Sequence, residues 1–350
     1  MKTFSVIMPI YGVERYLRQG VDSVLAQSFE DYEIILVDDC SPDSCPSICD
    51  EYAEKDERIR VIHKPQNEGL GEARNTGFRA AEGEYILYMD SDDTIEADLL
   101  QLVNNAIKSD RDADIVVFGS RCVHENKSGE AYYQEDLRPE ARVAKAKEEI
   151  GECFIELSSK RIFPYAWNKV YKRSFLEKTG VVFERTKLIE DFLYNITLFR
   201  QASKVCILSE VLYNYRKPAH QTLASAYSPM FFSLTKRKFA LEMDFLKEMG
   251  IAGEENRQFV LYNHLKHIIS TFIRNSSARA GLKGKEQKNL IKEILSDADT
   301  KLVLSDYKPR RLHMKFICAV LKTGSPTMCW LLAKAIDFAK NSLWIRSKEG

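Results

Sequence analysis

Along the first hundred residues, short apolar runs alternate with amphipathic stripes. Residues 4–10 form an apolar run with Pro9 near its end and read as a strand. Apolar side chains then recur at Tyr16, Leu17, Val21, Val24 and Leu25, the spacing of one helix face over residues 14–27. The pattern repeats: 32–37, 58–63, 85–89 and 113–118 read as strands, and 46–55, 70–81 and 96–108 as helices. Strand–helix units of this length predict a mostly parallel sheet with helices on both faces. Ligands of such sheets bind beyond the carboxyl ends of the strands.

Residues 119–145 lose this periodicity and read as an irregular hairpin or loop. A helix is expected over 148–158, a short strand over 168–171 with Ser174 placed to cap a helical turn, an amphipathic helix over 190–201, and one or two strands over 205–215. From about residue 230 the pattern is helical, punctuated by Pro309, Gly324 and Pro326. These shifts divide the chain into an α/β half over 1–118, a second half over 119–225 and a helical region over 226–350.

Composition adds boundaries. With 350 residues, 45% hydrophobic and 29% charged, the chain has room for two or three globular units. Its eight cysteines include no C-x-x-C pair, which argues against a zinc ribbon; they read as reduced thiols, with Cys45 and Cys49 on one helix face. The opening Met1-Lys-Thr-Phe-Ser-Val-Ile-Met-Pro9 runs directly into a strand; its apolar stretch is expected to be too short for the hydrophobic core of a secretory leader and has no small-residue cleavage site, and no segment approaches the roughly 18 apolar residues needed to span a bilayer. A cytoplasmic location is the expectation. The formal net charge is zero, yet residues 1–100 hold 9 Lys/Arg against 22 Asp/Glu, a balance of −13, and residues 301–350 hold 10 against 3, a balance of +7. The acidic part argues against nucleic acid as a partner, and the basic part suits an anionic surface.

Three segments carry candidate chemistry. The strand over 85–89 ends abruptly in Asp90, Asp92 and Asp93. Carboxylates packed this closely repel, and burying them is costly. A hard divalent cation such as Mg²⁺ or Mn²⁺, shared with substrate phosphates, relieves both problems; the alternative is an acidic turn that caps the next helix. The second strand ends in Asp38-Asp39, placed either to accept hydrogen bonds from a base or ribose, or to form an Asx turn with Ser41 and Pro42. Asn67-Glu-Gly-Leu-Gly-Glu-Ala-Arg74-Asn75 is a loop entering a helix, where Arg74 can meet a phosphate or base edge, or pair with Glu68 or Glu72.

In this order and at this spacing, Ser5-Val-Ile-Met-Pro-Ile-Tyr11, Val37-Asp38-Asp39, Gly71-Glu-Ala-Arg74-Asn75 and Met89-Asp90-Ser-Asp-Asp93 resemble the nucleotide-sugar half of family 2 glycosyltransferases, the GT-A fold. The resemblance covers residues 1 to about 118 and extends less specifically to about 220. It implies that Pro9 and Tyr11 line the nucleotide pocket, that Asp39 bonds the uracil, and that Asp38 and Arg74 support the base or the ribose and phosphate. Asp90 and Ser91 would lie near ribose and metal, and Asp92 would be the principal metal–diphosphate residue. Position 12 is Gly where many members carry Asn, so no side-chain contact is expected there. The family also carries an acidic pair like Glu190-Asp191, preceded by a segment like Ala166-Trp167-Asn168-Lys169-Val170-Tyr171. By that resemblance Asp191 is the general base and Glu190 its neighbour; read alone, the pair is a helix cap. Trp167 either stacks on a sugar or sits in the core, and Asn168 and Lys169 are expected to shape the cleft. Arg216 and Lys217 would hold the diphosphate, and His220 is either a metal ligand or a surface residue. His264 and His267 read as structural.

The activity so implied is metal-dependent, inverting transfer of a sugar from a nucleotide sugar, a UDP-sugar being favoured, to a hydroxyl of a glycan or lipid-linked acceptor in capsule, exopolysaccharide or other cell-surface glycan assembly. A nucleotidyltransferase would want a Gly-rich N-terminal loop with a basic residue, whereas the first strand exits through Pro9-Ile-Tyr11-Gly12. A non-catalytic nucleotide-sugar-binding partner subunit would have no need of Asp92 and Asp191. Over 301–350, Phe316, Trp330, Phe338 and Trp344 are interleaved with Arg310, Arg311, Lys315, Lys322, Lys334, Lys340, Arg346 and Lys348. That pattern fits either peripheral attachment to an anionic membrane or a bundle packed on 230–300.

Overall fold

The computed structural model describes residues 2–109, 113–126, 128–186, 188–217, 227–277 and 280–346, with side chains as far as Ala339. Its elements are β1 (Phe4–Ile10), α1 (Glu14–Leu25), β2 (Tyr32–Asp38), α2 (Cys45–Lys55), β3 (Ile59–His63), α3 (Leu70–Ala80), β4 (Tyr85–Tyr88), β5 (Thr94–Ile95), α4 (Leu99–Ser109), β6 (Ile115–Glu125), β7 (Ala131–Leu137), β8 (Arg142–Ala144), α5 (Lys147–Ser159), β9 (Lys169–Lys172), α6 (Arg173–Thr179), α7 (Glu190–Gln201), β10 (Val205–Lys217), α8 (Phe231–Glu248), α9 (Glu254–Ser276), α10 (Gly284–Ser296), α11 (Ala298–Asp306), α12 (Leu312–Lys322) and α13 (Pro326–Arg346). They form two units: Met1–Leu223 with Glu248–Ile251, and Ala224–Lys247 with Ala252–Gly350.

The first unit is built on one ten-stranded sheet, ordered β3-β2-β1-β4-β9-β6-β10-β5, with β7 on β6 and β8 on β10. Strands β3, β2, β1 and β4 are parallel, as the strand–helix alternation predicts. Beyond β4 the sheet is mixed rather than mostly parallel, although β6 and β10 do pair in parallel. β9 runs antiparallel to both β4 and β6, and β5, β7 and β8 are also antiparallel to their partners. Parallel pairing needs a crossover element, whereas a short turn suffices for an antiparallel pair. Of the two readings of 119–145, the irregular hairpin holds: β6 continues to Glu125 and pairs antiparallel with β7, with a register shift at His124/Glu125. β7 is exposed along most of its length, so it carries no apolar alternation to read.

β1 lies inside the sheet and all seven of its residues are buried. Its register pairs Ile10 with Asp38, and Ile7 with Tyr88, which brings the exits of β1, β2 and β4 to one edge. Helix α3 lies close over β1 at Gly77, where an added Cβ would come within 2.3 Å of Ile7 Cγ2. Cys45 and Cys49 are both buried, and all eight cysteines are free thiols.

In the second unit α13 packs against α9, α10 and α12. Leu261, Leu265, Ile268, Phe272, Ile291, Val303 and Leu321 form its interior. His264 is buried there and stacks on Phe239 with ring centroids 4.2 Å apart, a packing role. Trp330 Nε1 donates to Gln287 Oε1 at 2.7 Å. Among the described residues no helix is long and apolar enough to cross a membrane. The expectations for Lys340, Trp344 and Arg346 as side chains, and for Lys348, lie outside the described residues.

Candidate active site

The acidic segment leaves β4 in a tight turn, with the Asp93 N–H donating to the Asp90 carbonyl at 3.1 Å. Ser91 Oγ donates to the Pro9 carbonyl at 2.8 Å and ties the turn to β1. Asp93 is committed: Oδ2 accepts from Tyr213 Oη at 2.8 Å, and Oδ1 from the Arg216 N–H at 2.7 Å. Tyr213 Oη also accepts the Asp90 N–H at 3.1 Å. Helix α1 lies so close that a Cβ on Gly20 would stand 2.8 Å from the Ser91 carbonyl oxygen, so only glycine fits. Asp92 is left half-buried, without a side-chain partner among the described residues. Burial, then the Asp90 charge, pushes its carboxyl up to about 6.

Arg74 joins this turn to the second half of the sheet unit. Its side chain is fully buried, and Nη2 donates to Asp90 Oδ1 at 2.6 Å while Nη1 donates to Asp191 Oδ1. Phe183 lies under the guanidinium, 5.2 Å from ring centroid to Cζ. Asp191 Oδ2 accepts the Ala166 N–H at 3.0 Å. One guanidinium therefore fixes the exit of β4, the start of α7 and the segment before β9. Burial works against the Arg74 charge, but Asp191 and Asp90 outweigh it and its pKa is raised. Burial raises the Asp90 carboxyl, and Arg74 offsets that only in part. Beside Asp191, Glu190 has Oε2 buried with no hydrogen-bond partner; burial first, then the Asp191 charge, pushes its carboxyl up to about 7.

The remaining expected residues separate into available and committed groups. Tyr11 stands 51% exposed at the exit of β1, while Pro9 is buried there. Asp38 is buried, accepts the Ser41 N–H at 3.0 Å and meets His63 Nδ1 at 3.0 Å. Asp38, followed by Asp50, raises the His63 pKa. The expected contact of Asp39 with a base meets an obstacle. Its Oδ1 is paired with Lys64 at 2.9 Å and its Oδ2 accepts the Gly69 N–H at 2.7 Å, so it organises the loop into α3. Arg74 likewise turns Nη1 and Nη2 to carboxylates, while its buried Nε has no hydrogen-bond partner among the described residues.

Of the two readings of Trp167 the core one holds, and two further expectations are corrected. Trp167 is buried, with Tyr165 stacked on it at 4.6 Å and Tyr213 at 4.3 Å, so no ring face is open to a sugar. Asn168 and Lys169 have no exposed surface; Lys169 Nζ donates to the carbonyls of Phe163 and Tyr165, at 2.9 and 2.6 Å, and Asn168 Nδ2 to that of Ile162 at 2.9 Å. They shape the segment that presents Ala166 and do not line a cleft. Arg216 is not a free diphosphate clamp: Nε donates to the Asp92 carbonyl at 2.9 Å, Nη2 to Gln19 Oε1 at 2.9 Å, and Nη1 pairs with buried Glu125. His220 lies outside the described residues.

Sequence reasoning missed Tyr213, Glu125, Lys64 and the Ala166 N–H as the anchors of these carboxylates. Glu125 fell in the segment without periodicity, and a backbone donor leaves no sequence signal. Among the described residues no group of three or more His, Cys, Asp or Glu side chains is arranged to hold a metal by itself. Asp92 and the free oxygen of Asp90 fit a hard cation that binds through one or two carboxylates and completes its shell with substrate phosphates and water.

Residues 5–180 match the sequence profile of glycosyl transferase family 2. A Bacillus subtilis (strain 168) relative, the uncharacterized glycosyltransferase EpsJ, is 32% identical over 293 residues, 83% of this chain and 83% of that protein. The chain belongs to glycosyl transferase family 2. This glycosyltransferase is also 29% identical over 249 residues to the poly(ribitol-phosphate) beta-N-acetylglucosaminyltransferase TarS of Staphylococcus aureus (strain Mu50), covering 69% of this chain and 41% of that protein. The crystal structure of S. aureus TarS 1–349 in complex with UDP-GlcNAc superposes with a TM-score of 0.67 over 98% of this chain and 92% of that chain, at 22% identity. The glycosyltransferase thus has the GT-A fold followed by a C-terminal helical region.

Proposed function

We propose that the enzyme moves a sugar from a UDP-sugar to a hydroxyl of a glycan or lipid-linked acceptor, with inversion and with Mn²⁺ or Mg²⁺, in the assembly of a cell-surface glycan. The observation that carries this reading is the Asp90–Arg74–Asp191 bridge, which sets a candidate base at a fixed distance from the acidic turn. Support for the donor comes from the TarS structure solved with UDP-GlcNAc, and for the acceptor class from the name of that relative.

Asp92 and the second oxygen of Asp90 would hold the divalent cation, which supplies charge neutralisation to the leaving diphosphate when bound. Tyr11, exposed at the strand exit, offers a ring face to the base. Asp191 accepts the proton of the acceptor hydroxyl as that oxygen attacks the anomeric carbon from the face opposite the diphosphate. An ionised carboxylate has about four acceptor sites. Arg74 and the Ala166 N–H use two of those on Asp191 and orient the rest. Fixed geometry between donor and base lets the two reactants meet without a further entropy cost.

The test is calorimetric binding of UDP, GDP, CDP and TDP, each with Mn²⁺ or with EDTA, to the wild type, Asp92→Asn and Asp191→Asn. The reading expects UDP to bind tightest and to need both metal and Asp92. Asp191→Asn is expected to keep donor binding and lose turnover by about 10²–10⁴-fold. Metal-independent binding, or full turnover by Asp191→Asn, refutes it.

A further inference from the structure

The proposed reaction leaves one conspicuous surface unused, the outer side of α12 and α13. On α12, Leu312 is 83% and Phe316 62% exposed, and Ala319 completes an i, i+4, i+7 stripe. On α13, Met328 at 45%, Leu331 at 55% and Phe338 at 75% exposure form a second stripe with Ala335 at i, i+3, i+7 and i+10. The opposite sides of the same helices are buried, at Met314, Cys318 and Leu321 on α12 and at Cys329 and Ala333 on α13. The two helices are packed on one another. Large apolar side chains exposed in contiguous stripes mark an interaction surface rather than ordinary surface scatter.

Around α12 and the first three turns of α13 the charge has one sign, and the one carboxylate on α13 is Asp337, beside Phe338. Residues 307–336 contain Lys308, Arg310, Arg311, Lys315, Lys322 and Lys334, and not one Asp or Glu. Arg310, Arg311, Lys315 and Lys322 are exposed. Lys334 is engaged, donating to the Ser276 carbonyl. Neither helix is long and apolar enough to cross a bilayer. An amphipathic helix with apolar residues on one side and an excess of cations beside them lies in the headgroup region of an anionic membrane. A second copy of the same face would set like charges opposite one another, since a two-fold interface pairs a patch with itself.

We propose that the α12–α13 face docks on the surface of an anionic lipid bilayer, with Leu312, Phe316, Leu331 and Phe338 at the acyl boundary and Arg310, Arg311, Lys315 and Lys322 among the headgroups. This goes beyond the donor and acceptor chemistry and stands without it.

The experiment is co-sedimentation of the full chain with vesicles of phosphatidylcholine alone, or of phosphatidylcholine with phosphatidylglycerol, at low and high salt. Binding to the anionic vesicles is expected to be at least about tenfold stronger than to neutral ones. It should be lost in about 1 M salt, where the screening length falls to about 3 Å. Two variants read the two components. Arg310→Ala/Arg311→Ala should weaken partition by about 25-fold, at about fivefold per cation. Leu312→Ser/Phe316→Ser should weaken it at least about tenfold, since each buried CH₂ contributes about fourfold. Both should keep the wild-type Tm, because the altered side chains are exposed. Wild-type protein that stays in the supernatant, binds neutral vesicles equally, or is retained as well by either variant overturns the proposal. So does a stable dimer, seen by sedimentation velocity, that Leu312→Ser/Phe316→Ser dissolves; a second copy would then cover the face.

Discussion

Replacing Arg74 by Met removes the charge that holds two partly buried carboxylates while keeping most of the side-chain volume. Breaking a buried ion pair by deleting one partner costs about 3–5 kcal/mol. Asp90 and Asp191 retain 23% and 19% of their side-chain exposure, so water recovers part of the loss. The lower end, about 3 kcal/mol, is therefore expected. For a unit of this size that is about 6–12 °C in Tm. The deficit should depend on pH with a definite sign. The Asp90 carboxyl is already raised by burial with Arg74 present, and it rises further without it. A carboxyl raised above its unfolded value contributes stability that is complete below the unfolded pKa and is lost as pH rises through the folded one. The Arg74→Met deficit should therefore be smallest near about pH 4 and grow toward about pH 8. Thermal unfolding followed by circular dichroism across that range is the assay. A deficit under about 1 kcal/mol, the level of an exposed pair, would refute the bridge as a stabilising element. A deficit that grows on acidification would refute the sign. Turnover should fall by about 10²–10⁴-fold, since Asp191 loses its orientation.

Glu190 titrates at about 7, raised by burial and then by Asp191. Its stability contribution is full at low pH and is lost as pH rises through about 7, so Glu190→Gln should gain Tm over wild type at about pH 8 and lose that gain by about pH 4; a constant difference across the range, again by thermal unfolding, contradicts the assignment. Trp167→Ala should cost about 3–5 kcal/mol in urea unfolding. Trp167→Phe should keep the Michaelis constants for donor and acceptor within about twofold, whereas loss of a sugar-stacking face would cost about 1 kcal/mol or more in binding, a KM rise at unchanged Tm.

Strand and helix positions through α3, the acidic exit of β4 and the acidic start of α7 were all legible in the sequence. Each rests on a period of two or 3.6 residues, or on an abrupt change from apolar to charged within one element, and such signals are local. The four-motif order carried the family for the same reason, since each motif sits at one strand exit. What the residues around those motifs do was decided only by tertiary structure. Arg74 and Asp191 are 117 positions apart in the chain, and Arg216 and Asp93 are 123 apart. No local pattern reports such partners. From the sequence, Arg74, Asp39 and Arg216 are polar groups near a strand exit and could face a ligand; in the fold carboxylates, backbone groups, Gln19 and Lys64 take up most of their hydrogen-bonding capacity. Trp167 looked equally suited to a sugar or a core, and two tyrosines, one of them 46 residues away in the chain at Tyr213, close both of its faces. The mixed sheet has the same origin: strand direction beyond β4 is set by which edge a segment reaches, and an edge exists only once the earlier strands have assembled. Sequence alone named the chemistry available at the strand ends. Burial and long-range pairing decided which of those groups remain free to use it, because a polar side chain removed from water must find a partner wherever the fold provides one.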